Sequence, residues 1–273
     1  MTHIIQFSGG KDSTALVLWA KEQGWPFVAV FFDTGWEHPL TYDYIQHINE
    51  TVLGGKLVTA KSAKYPGGMR ELVIKKQMVP NHRMRFCTEE LKVLPFAAWM
   101  NEQDFDEATV YQGIRAQESS QRSKMTRRVW EPLYEAWIER PLFEWTHEQV
   151  FALMEERGVE PNPLYKLGAA RVGCFPCIMS GHAELRRVSG ALPEVWTRIA
   201  EIEGSLENRN WFPADCIPAR FHSGRRTSRA GEAVTFPTHE DVRSYVMDAD
   251  EQQIRLWYRC PTSGCLSVYN LCE

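Results

Sequence analysis

The chain has 273 residues, 44% of them hydrophobic, and a formal net charge of -4. That length buries one sizeable core, or one core with a smaller appended lobe, and the charge excludes a generally basic protein that coats nucleic acid while leaving room for a local basic patch. No apolar run is long enough to cross a bilayer, and Met1-Thr2-His3-Ile4-Ile5 opens directly on strand-like residues, so a cytoplasmic protein without a membrane partner is expected.

In chain order, His3 to Phe7 reads as a strand, Asp12 to Gln23 as a helix, Phe27 to Phe32 as a strand and Leu40 to Leu53 as a helix. Lys56 to Thr59 follows as a short strand, Gly68 to Gln77 as a helix and Thr109 to Gly113 as a strand. A further helix begins near Thr146, which can cap it while Gln149 completes a capping box. Strands alternating with helices predict an α/β fold with an open, mostly parallel twisted sheet and helices on both faces. From Pro161 onward the chain turns rich in Gly, Pro, Cys and Arg, which predicts a helical and irregular lobe. The expected division is an α/β domain over 1–165 and a Cys- and Arg-rich lobe over 166–273.

Ser8-Gly9-Gly10-Lys11-Asp12-Ser13 lies between the first strand and the first helix, where backbone amides and the positive helix end favour a phosphate. It is neither a Walker loop nor the dinucleotide Gly-x-Gly-x-x-Gly fingerprint. Seven cysteines in a reducing compartment point to metal or redox chemistry more than to a disulfide framework. Cys174 and Cys177 have a metal-gripping spacing that suits zinc or an iron–sulfur cluster, and Cys216, without near partners, reads as a packed thiol.

The loop resembles that of the adenine nucleotide α-hydrolase, or ATP pyrophosphatase, group, in which Ser-Gly-Gly-x-Asp-Ser is diagnostic. Downstream, Asp33-Thr34-Gly35-Trp36, Arg85-Phe86-Cys87-Thr88, Lys92-Val93-Leu94-Pro95 and Gly113-Ile114-Arg115 resemble segments of the phosphoadenylyl sulfate reductase family. So do Glu118-Ser119-Ser120-Gln121-Arg122, Arg140-Pro141-Leu142-Phe143, Asn162-Pro163-Leu164-Tyr165 and Gly173-Cys174-Phe175-Pro176-Cys177. The match runs over roughly residues 3 to 180, with Thr88 standing where the family has a second cysteine and no Glu-Cys-Gly motif near the end.

This resemblance implies an adenine nucleotide, ATP or phosphoadenylyl sulfate, bound by Ser8, Gly9, Gly10, Lys11, Asp12, Ser13, Asp33, Gly113 and Arg115, with magnesium a candidate at Asp33. Lys11, Asp12, Arg115 and Arg122 are the implied catalytic groups, the arginines meeting phosphate or sulfate oxygens. It also implies a four-iron four-sulfur cluster, with zinc as the alternative, on Cys87, Cys174, Cys177 and a fourth ligand for which Cys265 is favoured over Cys260 and Cys272. ATP-dependent sulfur transfer to a nucleic-acid or small-molecule acceptor is the first reading, on the intact loop and a likeness to DNA phosphorothioation sulfurtransferases. Sulfonucleotide reduction with a thiol reductant is the second, and a catalytically inactive nucleotide-binding subunit the third; a homo-oligomer is compatible with each. Arg220, Arg225, Arg226 and Arg229, interleaved with Phe221 and His222, would suit a phosphate backbone or a nucleotide 3′-phosphate.

Overall fold

The computed structural model describes residues 1–207, 210–228 and 230–248. Six strands, β1 (Thr2–Phe7), β2 (Phe27–Phe32), β3 (Val58–Ala60), β4 (Ala108–Tyr111), β5 (Arg128–Glu131) and β6 (Ala136–Glu139), form one sheet in the order β3-β2-β1-β4-β6-β5. All are parallel except β5, which returns antiparallel on β6. The helices are α1 (Lys11–Glu22), α2 (Pro39–Thr51), α3 (Gly68–Lys76), α4 (Phe86–Thr88), α5 (Leu94–Glu102), α6 (His147–Glu156), α7 (His182–Ala191), α8 (Glu194–Glu203) and α9 (His239–Asp248).

The central strands are apolar on both faces because both are covered. Ile5, Phe7 and Phe31 pack on one side with Leu16 of α1, Ile48 of α2 and Met154 of α6, while Ile4 and Val30 pack on the other with Phe96 and Met100 of α5. Strands β1 to β4 and helices α1, α2, α3 and α6 lie where the sequence pattern puts them, whereas α5 is not among the expected elements. Thr146 caps α6 as expected: its hydroxyl accepts the Gln149 amide at 3.3 Å, and the Gln149 side chain accepts the Thr146 amide at 2.8 Å.

Three features are absent from the sequence reading. A π-helical turn, Glu89–Val93, joins α4 to α5, so the cysteine segment is part of one continuous helical run. The β5–β6 hairpin edges the sheet, and a second hairpin, β7 (Gly224–Thr227) with β8 (Ala233–Phe236), interrupts the otherwise helical C-terminal lobe. Neither hairpin announces itself, because its strands are four residues long and carry charged or exposed aromatic side chains on one face. Leu185 of α7, Trp196 and Ile199 of α8 and Val242 of α9 share a single apolar cluster with Trp36, Met69 and Leu72 from the first half of the chain. Cys216 packs against that cluster, and burial pushes its thiol up to about 12.

Candidate active site

Open α/β sheets bind ligands beyond the carboxyl ends of their strands. At that end β1 gives way to the glycine loop and α1. Gly9 has φ +75°, a left-handed conformation in which a Cβ would also lie 2.8 Å from Cγ1 of Ile45. Gly10 caps α1, and no side chain makes a capping bond to the first turn. The Lys11 amide donates to the Tyr165 hydroxyl at 3.0 Å. The loop is held from within: the Ser8 amide donates to Ser13 Oγ at 3.2 Å, Ser13 Oγ donates to the Gly10 carbonyl at 3.0 Å, and buried Asn162 donates to the Gly9 carbonyl at 3.2 Å. An anion therefore meets a cradle whose shape is already set.

Asp12 ties the loop to the next strand. Its carboxylate accepts Lys11 Nζ at 2.8 Å on one oxygen and Arg115 Nε on the other. Arg115 is 3% exposed, and its remaining bonds go to Gln117 Oε1 at 3.0 Å and the Trp145 carbonyl at 3.3 Å. Rather than reaching into the site, Arg115 stands behind Asp12 and positions it. Gly113, just after β4, touches the same backbone, for a Cβ there would lie 2.8 Å from the carbonyl carbon and oxygen of Asp12 and 3.0 Å from the Ser13 nitrogen. Gly113→Ala is expected to push the loop aside, costing about 1–3 kcal/mol of stability by overpacking and at least about tenfold in nucleotide affinity. Wild-type affinity in the variant, measured by titration calorimetry, would show that the loop position is not critical.

The tip of β2 carries a second network. Asp33 accepts from the Gly35 amide at 2.8 Å, the Tyr42 hydroxyl at 2.6 Å and Lys61 Nζ at 2.8 Å. Burial pulls its carboxyl upward, but the bonds from Lys61, Tyr42 and Gly35 outweigh it and hold the group below the usual carboxylate range. Glu37, 3% exposed, accepts Thr34 Oγ1 at 2.6 Å and the Tyr42 hydroxyl at 3.0 Å, and burial raises its carboxyl. This tip is bonded to the cysteine segment: Phe175 N–H donates to the Trp36 carbonyl at 2.7 Å, Trp36 Nε1 donates to the Pro176 carbonyl at 3.0 Å, and Cys174 Sγ lies 3.6 Å from Thr34 Oγ1. Arg198 of α8 stacks 4.3 Å over the Trp36 ring and donates to the Glu37 carbonyl at 3.1 Å.

One cavity joins these parts. Ser8, Gly10, Lys11, Asp12, Ser13, Gly113 and Arg122 line it from the nucleotide-loop side, and Cys87, Cys174 and Cys177 line it from the other. Gly9, Asp33 and Arg115 do not line it, although Arg115 is bonded to Asp12 on the wall. Cys265, Cys260, Cys272 and Arg229 lie outside the described residues. Arg225 and Arg226 sit on β7 and Arg220 just before it, away from the cavity wall. Sequence reasoning missed Glu37, Lys92, Tyr165 and Asn162 as site residues, although Lys92 and the Asn162 to Tyr165 segment fall in motifs of the family resemblance.

The three cavity cysteines are thiols of the right kind for a soft metal or an iron–sulfur cluster. Burial raises the Cys174 and Cys87 thiols; Lys92 works against the rise at both, and the neighbouring cysteines add to it. Among the described residues they do not form a closed metal-holding group of three or more His, Cys, Asp or Glu. The donor chemistry fits, and the set is incomplete within the described chain.

Comparison with known proteins bears on the same region. The profile of the phosphoadenosine phosphosulfate reductase domain matches residues 2–180, which hold the glycine loop, the Asp33 tip and all three cavity cysteines. The chain belongs to that family. Among its relatives, an uncharacterised 37.8 kDa protein of Escherichia phage 186 is 31% identical over 85% of this chain and 84% of its own length. An uncharacterised protein of Methanocaldococcus jannaschii is 28% identical over 71% of this chain, which spans only 40% of that relative. A crystal structure of phosphoadenylyl-sulfate reductase from Candida auris, in a phosphate complex, matches with a TM-score of 0.50 at 20% identity, covering 65% of this chain and 83% of that one. At that identity the likeness establishes the fold. The family assignment and the parallel sheet agree with the sequence reading, and no described helix is long and apolar enough to cross a membrane.

Proposed function

We propose that this family member is an ATP-using enzyme that activates an acceptor by adenylation and then transfers sulfur to it. The observation that carries the reading is the single cavity lined on one side by the intact Ser8 to Ser13 loop and on the other by Cys87, Cys174 and Cys177. An acceptor oxygen attacks the α-phosphorus of ATP, the bond to the β-phosphate breaks, and pyrophosphate leaves with its charge facing Lys11; a magnesium ion carried in with ATP would supply further positive charge there. A hydrosulfide then attacks the activated carbon, the carbon–oxygen bond breaks as the carbon–sulfur bond forms, and AMP departs with the former acceptor oxygen. The protein's part is electrostatic: Lys11 and Arg122 stand on the wall where the departing charge develops, and a preset cradle needs no reorganisation at that moment.

Cys87, Cys174 and Cys177 would hold an iron–sulfur cluster, or zinc, together with a ligand outside the described residues. Such a group supplies a site to bind and present sulfur when the protein is loaded. Lys92 on the π-turn and Arg85 bring positive charge toward thiolates in that position. Cys174→Ser is expected to release the metal, read as iron, sulfide and zinc per chain after anaerobic purification; full retention removes Cys174 from the ligand set.

The second reading, reduction of a sulfonucleotide with release of sulfite, is favoured by the family match itself. The intact Ser8 to Ser13 loop is the feature that favours adenylation over it. The two are separated by incubating the anaerobic protein with magnesium ATP, adenylyl sulfate or phosphoadenylyl sulfate and assaying pyrophosphate and sulfite together. Pyrophosphate from ATP supports adenylation, whereas sulfite from a sulfonucleotide overturns it in favour of reduction.

A further inference from the structure

The β5–β6 hairpin carries chemistry that the nucleotide cavity does not use. Trp130 and Trp137 are directly paired across the two strands, 46% and 39% exposed, with ring centroids 5.6 Å apart. Arg128 stacks its guanidinium 4.2 Å over the Trp137 ring and pairs with Glu139 at 3.3 Å, which fixes the outer aromatic face in place. On the other face of the same strands, Val129, Ala136 and Ile138 join the apolar cluster under α5, so the hairpin is anchored by one face and presents the other. On the presented side, neighbouring Tyr111 belongs to the cluster beneath α1, α2 and α6, to which neither tryptophan belongs. Cross-strand packing accounts for the contact between the two rings, but not for leaving so much of both in water.

The approach to this hairpin is basic. Between Glu118 and Glu131 the sequence holds Arg122, Lys124, Arg127 and Arg128 and no acid. Arg122 is on the cavity wall, whereas Lys124, Arg127 and Arg128 are exposed. Arg140, itself 1% exposed, fixes this stretch to the sheet: its amide donates to the Arg127 carbonyl at 2.9 Å, its Nη1 to the Thr126 carbonyl at 2.7 Å and its Nε to Gln112 at 3.1 Å. Gln112 lines the cavity. Because β5 starts opposite Glu139, the carboxyl end of β6, the cations begin at the active end of the sheet and lead to the tryptophans two pairs further along.

We propose that Lys124, Arg127, Arg128, Trp130 and Trp137 form a docking track for an unpaired nucleic-acid strand, with phosphates on the cations and bases on the indole faces. Alternating exposed cations and aromatic rings are what a single strand requires, since every base has a stacking face and every linkage a charge. A duplex keeps its bases stacked on one another and offers the rings nothing. Stacking and phosphate contacts are indifferent to the sugar, so oligothymidylate serves as the probe. The track gives the acceptor of the adenylation reading a chemical class and rests on that reading for its role, though the binding itself is measured without ATP.

The test is fluorescence anisotropy of a labelled oligothymidylate with the full chain, against a duplex of equal length and over a salt series. Tighter binding of the single strand is expected, weakened at least about tenfold by the double variant Trp130→Ala/Trp137→Ala. Arg127→Ala/Arg128→Ala should lower the slope of log affinity against log salt by about two. ATP binding should be unchanged in both, which distinguishes a lost track from a lost fold. Absence of oligothymidylate binding, equal binding by the tryptophan variant, or concentration-dependent self-association abolished by that variant would each overturn the proposal. Strand binding that persists while no pyrophosphate is released from ATP would sink the adenylation reading and leave the track standing.

Discussion

Lys11→Ala is expected to lower the turnover of nucleotide by at least about a hundredfold, near 3 kcal/mol of transition-state stabilisation, with a smaller loss of stability. Lys11 is 5% exposed, and its ammonium lies on the cavity wall against the first turn of α1. In the proposed reaction the departing charge would develop beside Lys11. The fold should survive the change because Asp12, the partner Lys11 leaves behind, keeps its bond to Arg115. Steady-state kinetics and a denaturant titration on the same preparation check both parts. A collapse of stability would place Lys11 among the structural residues, and unchanged turnover would remove the loop from the chemistry.

Arg115→Ala should behave in the opposite way, costing about 3 kcal/mol of stability before any effect on catalysis is considered. The substitution removes a nearly fully buried guanidinium, leaves the Asp12 carboxylate, 15% exposed, with Lys11 alone, and strips the Trp145 carbonyl and Gln117 of a donor. Arg115→Lys should recover little, since an ammonium cannot reproduce three differently aimed N–H bonds. The measurement is the shift of the denaturant midpoint at constant slope. Normal stability with a large fall in ATP affinity would mean that Arg115 meets the nucleotide directly, the role that the family resemblance implies for it.

The contrast between these two residues shows what a sequence displays and what it conceals. The loop was legible because its chemistry is local: Ser8 to Ser13 sit between a strand and a helix whose patterns are plain, and two glycines in that place have one obvious use. The Thr146 cap was legible for the same reason. Arg115 was legible as a motif residue, but its direction was not, because it is set by a carboxylate 103 residues away. Glu37 reads as an ordinary turn residue until β2 and the Cys174 segment are brought together by the bridge between Glu37 and Cys174. Tyr165 and Asn162 likewise acquire a role only when they meet the Lys11 amide and the Gly9 carbonyl. The helical run from Phe86 to Glu102 is hidden in the sequence because its π-turn breaks the 3.6-residue period and Pro95, which has no amide to donate, falls in its path.

The same locality separates the two hairpins from the rest. Strand β5 is short, borders solvent and places Arg128 and Trp130 outward, so its alternation resembles a polar loop with one aromatic residue until Trp137 is set opposite. Its exposed face is the feature of the molecule that the nucleotide site leaves unexplained.

The most direct measurement is equilibrium binding of magnesium ATP to the anaerobically purified full chain, by dialysis, with wild type and Lys11→Ala side by side. One nucleotide per chain for the wild type and a loss of at least about tenfold in affinity for the variant is the predicted result. No binding by the wild type, or equal binding by the two, would contradict the assignment of the Ser8 to Ser13 loop as the nucleotide cradle.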